Sequence, residues 1–321
     1  MSEKIAIIGA GVSSCFLSHL LSKSNYDIKI FEKSRGIGGR CAVRRDTVHG
    51  EFSLGAQFFT NKNPQLSKYF LGLLESRLIK KLTGPLGYLH ENGRSQQATP
   101  QIRYIGTPSM NSFLKHWVHG VDINFQSRIE SISRLGEKWQ LVTAEGHTFD
   151  DFDTCILTLP YPQGLQLWQQ NSQLSIPETH MYPCFALVLA TDTCPLKWHH
   201  SFVKDPMIAW FATEHSQNQR IKWVVHADAK WSLKHLEADP NWVQEQMIQR
   251  LYSLLEIRPK VHFTDIHRWK YASSESSAEF EFLWDSHYRL GYISDWLVGG
   301  RVEGAMESAA ALASHVYQVP K

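Results

Sequence analysis

Apolar residues along this chain fall in short blocks broken by glycines and turn residues, and the spacing inside each block predicts an element. Lys4-Ile5-Ala6-Ile7-Ile8 is a strand-length run. Gly9-Ala10-Gly11 follows, and then Cys15-Phe16-Leu17-Ser18-His19-Leu20-Leu21, whose apolar positions recur at helical spacing. A second run, Ile28-Lys29-Ile30-Phe31, ends on Glu32. Strand, glycine turn, helix, strand and terminal acid predict a βαβ unit with parallel strands. Farther on, Met110, Phe113, Leu114 and Trp117 predict an amphipathic helix over 108–119. The alternating segments 121–125, 129–132, 139–143 and 146–149, with turns at 135–137 and 144–146, predict a β-meander. The nearly continuous apolar segment 153–160 predicts a buried strand that returns the chain to the parallel sheet.

Between Tyr161 and Asp285 the pattern changes to alternation, as in 185–189 and 223–226, which predicts an antiparallel sheet. Eight of the 11 tryptophans fall here, and most of them serve as core. A helix is expected over 240–255 with Met247, Ile248, Leu251, Leu254 and Leu255 inward, and another opening around Arg301–Ala305. The alanine-rich stretch 309–313 reads as a packing surface of that last helix. The expected fold is α/β: a Rossmann-like nucleotide domain from 1–60, 101–160 and 286–321, and a mainly antiparallel-sheet substrate domain from 61–100 and 161–285. The segments 83–87 and 91–97 are expected on the outside of the second lobe.

The first βαβ unit carries chemistry. Gly9 permits a tight turn, and Gly11 lets backbone approach a pyrophosphate seated on the helix N-terminus at Val12 and Ser13. Glu32, with Lys33 beside it, is placed to accept hydrogen bonds from a ribose hydroxyl. The third glycine of the pattern is replaced by Ser14. Immediately after the acid, Gly36, Gly38 and Gly39 lie between Arg35 and Arg40: glycines clear space for a ligand against the backbone, and guanidinium forks suit phosphate oxygens.

This element, Glu32-Lys33-Ser34-Arg35-Gly36-Ile37-Gly38-Gly39-Arg40, resembles the flavin-containing amine oxidase superfamily, and within it the renalase-like oxidoreductases. The resemblance continues through 52–60, 206–210, 223–227, 267–272 and 294–305, with departures at Ser14, Ser53-Leu54 and Ser294. It implies non-covalent FAD held by the residues already named and by Ala56, Gln57, Phe58, Ile129, Asp295, Arg301, Val302, Glu303 and Ala305. Asp295 would take the ribityl hydroxyls, Ile129 would lie near the adenine, and the helix opening at Arg301 would aim its N–H groups at the flavin. No cysteine lies in 290–315 to form a covalent link. A flat substrate is expected between Phe58, Phe59, Trp210, His226, Trp269 and Trp296, with His226 either a core histidine or a partner for a carboxamide or carbonyl.

Composition narrows the partners. Net charge of +2 over 321 residues, with no basic stripe, argues against nucleic acid. No segment has the length of a membrane span or a signal-peptide core, and five cysteines without a CxxC pair suit a reducing, cytoplasmic setting. The adjacent His199-His200 reads as a solvated pair, and no metal-ligand spacing stands out among the 16 histidines. The function expected first is an FAD-dependent oxidase taking hydride from a small reduced substrate, dihydronicotinamide isomers by resemblance, with oxygen as acceptor. An amine oxidase or desaturase, and a flavin-binding protein with little turnover, are the alternatives.

Overall fold

The computed structural model describes residues 2–215, 220–275 and 280–318. Its centre is a six-stranded sheet in the order Leu283–Asp285, Leu290–Tyr292, Thr154–Leu157, Glu3–Ile8, Tyr26–Phe31, Asp122–Asn124. All neighbours are parallel except the first pair. Ile5–Ile8 is buried on both sides because the sheet is covered on both. Ile5 and Ile7 pack under the helices Val12–Leu21, Ser112–Trp117 and Arg301–Tyr317. Ala6 and Ile8 pack under the meander, through Ile132, Trp139, Leu141 and Phe152. A continuous apolar run is what a doubly covered strand requires.

The meander has three strands, Ile129–Leu135, Lys138–Thr143 and Thr148–Phe152. The alternating segment before it does not join it. Asp122–Asn124 instead pairs in parallel with Tyr26–Phe31 at the edge of the central sheet, where alternation fits a half-covered strand.

A seven-stranded sheet runs Val261–Ser274, Met181–Thr191, Ile221–Ala227, Ile208–His215, His200–Lys204, Leu86–His90, Ser95–Gln97. Every pair is antiparallel except His200–Lys204 with Leu86–His90. Leu86 and Gly87, expected in an outer loop, are therefore strand residues. Gly87 is buried, and a Cβ there would stand 2.4 Å from the Trp198 ring. Pro240–Leu255 covers one face, burying Val243, Met247, Leu251 and Leu254, while Ile248 and Leu255 are only half-buried. The opposite face receives the hairpin Val43–Asp46/Gly50–Ser53: Phe52 and Leu54 pack on Val188, Ala190 and Val224. Arg44 Nε lies 2.7 Å from Asp265 Oδ2, and Lys222 Nζ donates to the Glu51 carbonyl at 3.0 Å. No helix among the described residues is long and apolar enough to cross a membrane.

The 53–57 segment is pressed against 38–42. Leu54 N–H donates to Ala42 O (3.0 Å) and Ala56 N–H to Arg40 O (2.9 Å). A Cβ on Gly55 would lie 2.0 Å from the Arg40 carbonyl oxygen, so no side chain fits there. Gly55→Ala is expected to destabilise the protein by at least 1–3 kcal/mol, read as a fall in thermal midpoint, because backbone must move to admit the methyl. An unchanged midpoint would refute this close approach.

Candidate functional site

The glycine turn is built as a floor of bare backbone. Gly9 has φ +103°, and a Cβ on it would meet Thr158 Oγ1 at 2.6 Å. Above Gly11 nothing lies within 4 Å of a would-be Cβ, so that side of the turn is open. Gly38 N–H donates to Ala10 O (2.9 Å), and a Cβ on Gly39 would come 3.3 Å from Gly11 Cα. Two stretches of backbone far apart in sequence thus meet with no side chain between them.

Helix Val12–Leu21 begins at Gly11 with no side-chain cap and no acid in its first turn. Helix Arg301–Tyr317 begins at Gly300, also uncapped, after three successive left-handed residues, Gly299, Gly300 and Arg301 (φ 81°, 76° and 70°). The non-glycine member, Arg301, carries strain on the order of 1–3 kcal/mol, a cost associated with functional sites. The two helices pack together through Val12, Val302 and Ala305, all buried. An uncapped helix start leaves N–H groups and positive potential for an anionic or carbonyl group, so this cradle fits a dinucleotide.

Glu32 is buried, and both carboxylate oxygens are used: Oε2 accepts from Ala10 N–H and Oε1 from Ser34 N–H, each at 2.8 Å. Each oxygen keeps a further lone pair for a hydroxyl donor. The chain before Ile129 wraps this corner, with Glu32 N–H donating to Asn124 O, Ser127 N–H to Glu32 O and Gln126 N–H to Ser34 O. Ile129 itself is buried beside Phe31 and Ile132. Lys33 and Arg35 are exposed at the rim. Ser14 is fully buried, and its hydroxyl has no partner among the described residues. The replacement of the third glycine therefore leaves a desolvated hydroxyl, a cost of about 1–3 kcal/mol.

Arg40 joins the segments. Its guanidinium pairs with the buried Asp295 carboxylate and donates through Nη1 to the Ala272 carbonyl (3.3 Å) of the seven-stranded sheet. Ser294 Oγ donates to the same carboxylate at 3.2 Å. Asp295 sits at the start of the short turn Asp295–Val298, where its carbonyl accepts from Gly300 N–H (2.7 Å).

The side chains of four expected site residues, Glu303, Phe59, Trp296 and Gln57, are engaged within the chain. Glu303, expected in the helix start whose N–H groups face the flavin, has a buried carboxylate that clamps the next loop, accepting from Thr60 Oγ1 (2.8 Å), Lys62 N–H and Asn63 N–H (2.7 Å). A buried carboxylate takes the donors within reach. Phe59 turns into the core against Phe70, Tyr104 and Phe113. Trp296 is wholly enclosed, edge-on to Tyr161 and Tyr292. Gln57 folds its amide back on the carbonyls of Ser53 and Gly55.

Phe58, Trp210, His226 and Trp269 do gather, on the face of the seven-stranded sheet that the 52–58 segment covers. Phe58 packs on Trp210 (ring centroids 5.5 Å). The Leu54 carbonyl accepts from His226 Nε2 (2.9 Å) and from Trp269 Nε1 (3.4 Å). Because a carbonyl only accepts, Nε2 carries the hydrogen, and burial pushes the His226 pKa down to about 4. The ring is neutral at pH 7, with Nδ1 left as an acceptor. His226 can therefore take an N–H from a ligand but cannot donate to a substrate carbonyl through Nε2, which Leu54 occupies. His200, expected in a solvated pair, is buried, and its Nε2 donates to Thr83 O at 3.0 Å. The cue for that was available in the alternation of 200–204, which points His200 to the same side as Phe202.

The chain is similar to known proteins over most of its length. The NAD(P)-binding Rossmann-like domain matches residues 7–73, and the flavin containing amine oxidoreductase family matches residues 110–316. This chain belongs to the flavin containing amine oxidoreductase family. Renalase of Mus musculus is 24% identical over 304 residues, covering 86% of each chain. Among solved structures, a candidate protoporphyrinogen oxidase from Exiguobacterium sp. superposes with TM-score 0.76 at 11% identity, covering 99% of each chain. A double mutant of putrescine oxidase, redesigned in cofactor binding, gives 0.68 at 10%, covering 99% of this chain and 100% of the other. As a family member the chain is an FAD-dependent oxidoreductase, and the cradle described above suits that cofactor.

The neutral His226 makes a pH prediction. Its folded pKa is depressed from 6.5 to about 4, so the unfolded chain takes up the proton first. The stability it contributes is complete above about pH 6.5 and is lost as pH falls toward 4, on the order of 3 kcal/mol at most. His226→Gln keeps an amide donor for the Leu54 carbonyl and removes the titration. Thermal midpoints measured from pH 8 to 4 are expected to fall more steeply in the wild type than in the variant; parallel curves would count against a neutral buried ring.

Proposed function

We propose that this protein is a renalase-like oxidase that takes hydride from a small reduced substrate, with dihydronicotinamide isomers as the substrate class and oxygen as the electron acceptor. The observation that carries the reading is the chemistry of the sheet face against the 53–58 segment: Phe58, Trp210, Trp269 and a neutral His226 gather there, and no carboxylate is among these four. A donor that releases hydride needs orientation and exclusion of water more than a proton acceptor. Bound FAD supplies the two-electron acceptor for that hydride and the route of the electrons to oxygen.

The residues divide the work. Gly9, Gly11, Val12 and Ser13 hold the pyrophosphate through backbone, with Arg35, Gly38 and Gly39 as the facing wall. Glu32, with Lys33 at the rim and Ile129 behind, receives the adenosine ribose. Arg40, Ala56, Gln57 and Phe58 lie along the flavin side, Asp295 holds the ribityl chain, and the N-terminus at Arg301 and Val302, backed by Ala305, faces the ring. The nucleotide part is then 1–60, 101–160 and 286–321, and the substrate part 61–100 and 161–285. Attachment is non-covalent. All five cysteines are unpaired, which supports a cytoplasmic location.

Two experiments test the reading. Glu32→Ala removes the acceptor for the ribose hydroxyls and is expected to weaken FAD binding by about 1.5–3 kcal/mol per lost charge-assisted bond, a tenfold or larger rise in Kd; an unchanged Kd would sink the ribose assignment. For the reaction, the anaerobic protein is mixed with dihydronicotinamide isomers and with simple amines while the 450 nm region is followed. Bleaching by a dihydronicotinamide is expected. Bleaching by an amine alone would make the protein an amine oxidase, and bleaching by neither would leave a flavin binder with little turnover.

A further inference from the structure

Charge is spread unevenly along this chain. Between Phe52 and Val121 lie eight lysines and arginines and only two of the 31 acids, Glu75 and Glu91, although the whole chain carries a net charge of only +2. The remainder of the molecule is therefore net negative, and positive charge is concentrated in the segment that begins by bringing Phe58 to the sheet face.

The fold gathers part of this charge into one strip. Strands Ile79–Lys81 and Tyr104–Gly106 form an antiparallel ribbon with Lys80 opposite Ile105 and Lys81 opposite Tyr104, and Leu82 N–H extends the ladder to Arg103 O (2.8 Å). Ile79, Tyr104 and Gly106 are buried on its inner side, which leaves Lys80 and Arg103 on the outer one. Arg77, Lys80 and Lys81 are exposed, and Arg103 is half-buried. Among the described residues these four make no ion pair. Glu214, the acid that acts on His200 close by, is itself paired with Lys222 (2.8 Å).

Two contacts set this ribbon against the aromatic face. Phe59 and Tyr104 exchange backbone hydrogen bonds (2.9 and 2.8 Å), which brings Arg103 beside Phe58, its guanidinium carbon 5.2 Å from that ring. His200 stacks on Trp210 (6.4 Å, 15°) and donates from Nε2 to the carbonyl of Thr83, two residues past Lys81 (3.0 Å). Phe58 and Trp210 meet between these two anchors (5.5 Å). The cations therefore border the face that the substrate reading uses. Uncompensated surface charge raises the local concentration of small counter-ions and speeds their encounter, and salt screens it over about 10 Å at 0.1 M.

We propose that Arg77, Lys80, Lys81 and Arg103 form a basic collar that steers an anionic reduced substrate to the aromatic face, so that it arrives faster than a neutral substrate with the same reacting ring. The collar acts through its field and needs no fixed contact. It rests on the reading above that this face receives the substrate, and adds to it the sign of the substrate's charge.

The test uses anaerobic holoprotein and reads the second-order rate of flavin bleaching by stopped flow, at ionic strengths of about 20 and about 300 mM. Two reductants share one ring: dihydronicotinamide mononucleotide is an anion, and 1-methyldihydronicotinamide is neutral. Dithionite, which reduces through the sulfur dioxide radical anion, is the third and requires no substrate recognition. Both anionic reductants are expected to slow about fivefold or more from low to high salt, and the neutral one less than about twofold. Lys80→Glu/Lys81→Glu is expected to slow both anions by a similar factor at low salt and to flatten their salt dependence, with the neutral ring little changed. Lys23→Glu/Lys234→Glu alters net charge equally at exposed positions outside the ribbon and is expected to leave all three rates nearly unchanged. Salt-independent anion rates, an equal salt effect on the neutral ring, undiminished anion rates in Lys80→Glu/Lys81→Glu, or equal slowing by Lys23→Glu/Lys234→Glu would overturn the collar. Salt-steep reduction by dithionite, lost in Lys80→Glu/Lys81→Glu, without bleaching by either dihydronicotinamide would remove the proposed reaction and leave the collar standing. Bleaching by both dihydronicotinamides at salt-independent rates would do the reverse.

Discussion

The ion pair between Arg40 and Asp295 is where the parts of this molecule meet. Its arginine comes from the turn after the second strand and its aspartate from the chain that leads into the last helix. A second guanidinium nitrogen reaches Ala272 in the seven-stranded sheet, and the Arg40 carbonyl receives Ala56. Removing one partner of such a buried pair leaves an uncompensated charge, at a cost of about 3–5 kcal/mol. Arginine suits the position because its planar fork can serve two acceptors at once, which a lysine cannot do with fixed geometry.

Around that junction the walls of the site are mostly backbone. The glycines at 9, 11, 38, 39 and 55 allow three stretches of main chain to touch, and the two helix starts at Gly11 and Gly300 lack caps of their own. Side-chain carboxylates in the region serve the protein first. Glu32 ties Ala10 to Ser34, and Glu303 ties the last helix to the 60–63 loop. A ligand entering here meets N–H groups and fixed dipoles already held in place, which lowers the reorganisation needed on binding.

The second lobe is attached by the Leu54 carbonyl, which takes donors from both His226 and Trp269. Burial selects the neutral form of that histidine, and the bond to Leu54 fixes which nitrogen carries the hydrogen, so the register of the sheet sets the electrostatics of the face it presents. The same face grades from this satisfied end to the Arg103 end, where two donors have no acceptor within the described chain.

Local pattern was enough for the elements whose own residues decide them. The run Ile5–Ile8, the turn Gly9–Gly11 and the acid Glu32 specify a βαβ unit because periodicity and glycine placement are properties of neighbouring residues. The helix at 240–255 was legible for the same reason. Contacts between distant segments were not. The alternation of 121–125 did not tell whether that strand would pair with the meander or with Tyr26–Phe31. An aromatic residue reads alike whether it enters a core, as Phe59, Trp210 and Trp296 do, or stays half-buried, as Phe58 does. The partners of the Glu303 carboxylate lie in the loop at 60–63, which no pattern around position 303 discloses. Arg103 gave no signal at all, being a lone arginine in a polar stretch. Only the tertiary structure sets it over the Phe58 and Phe202 rings.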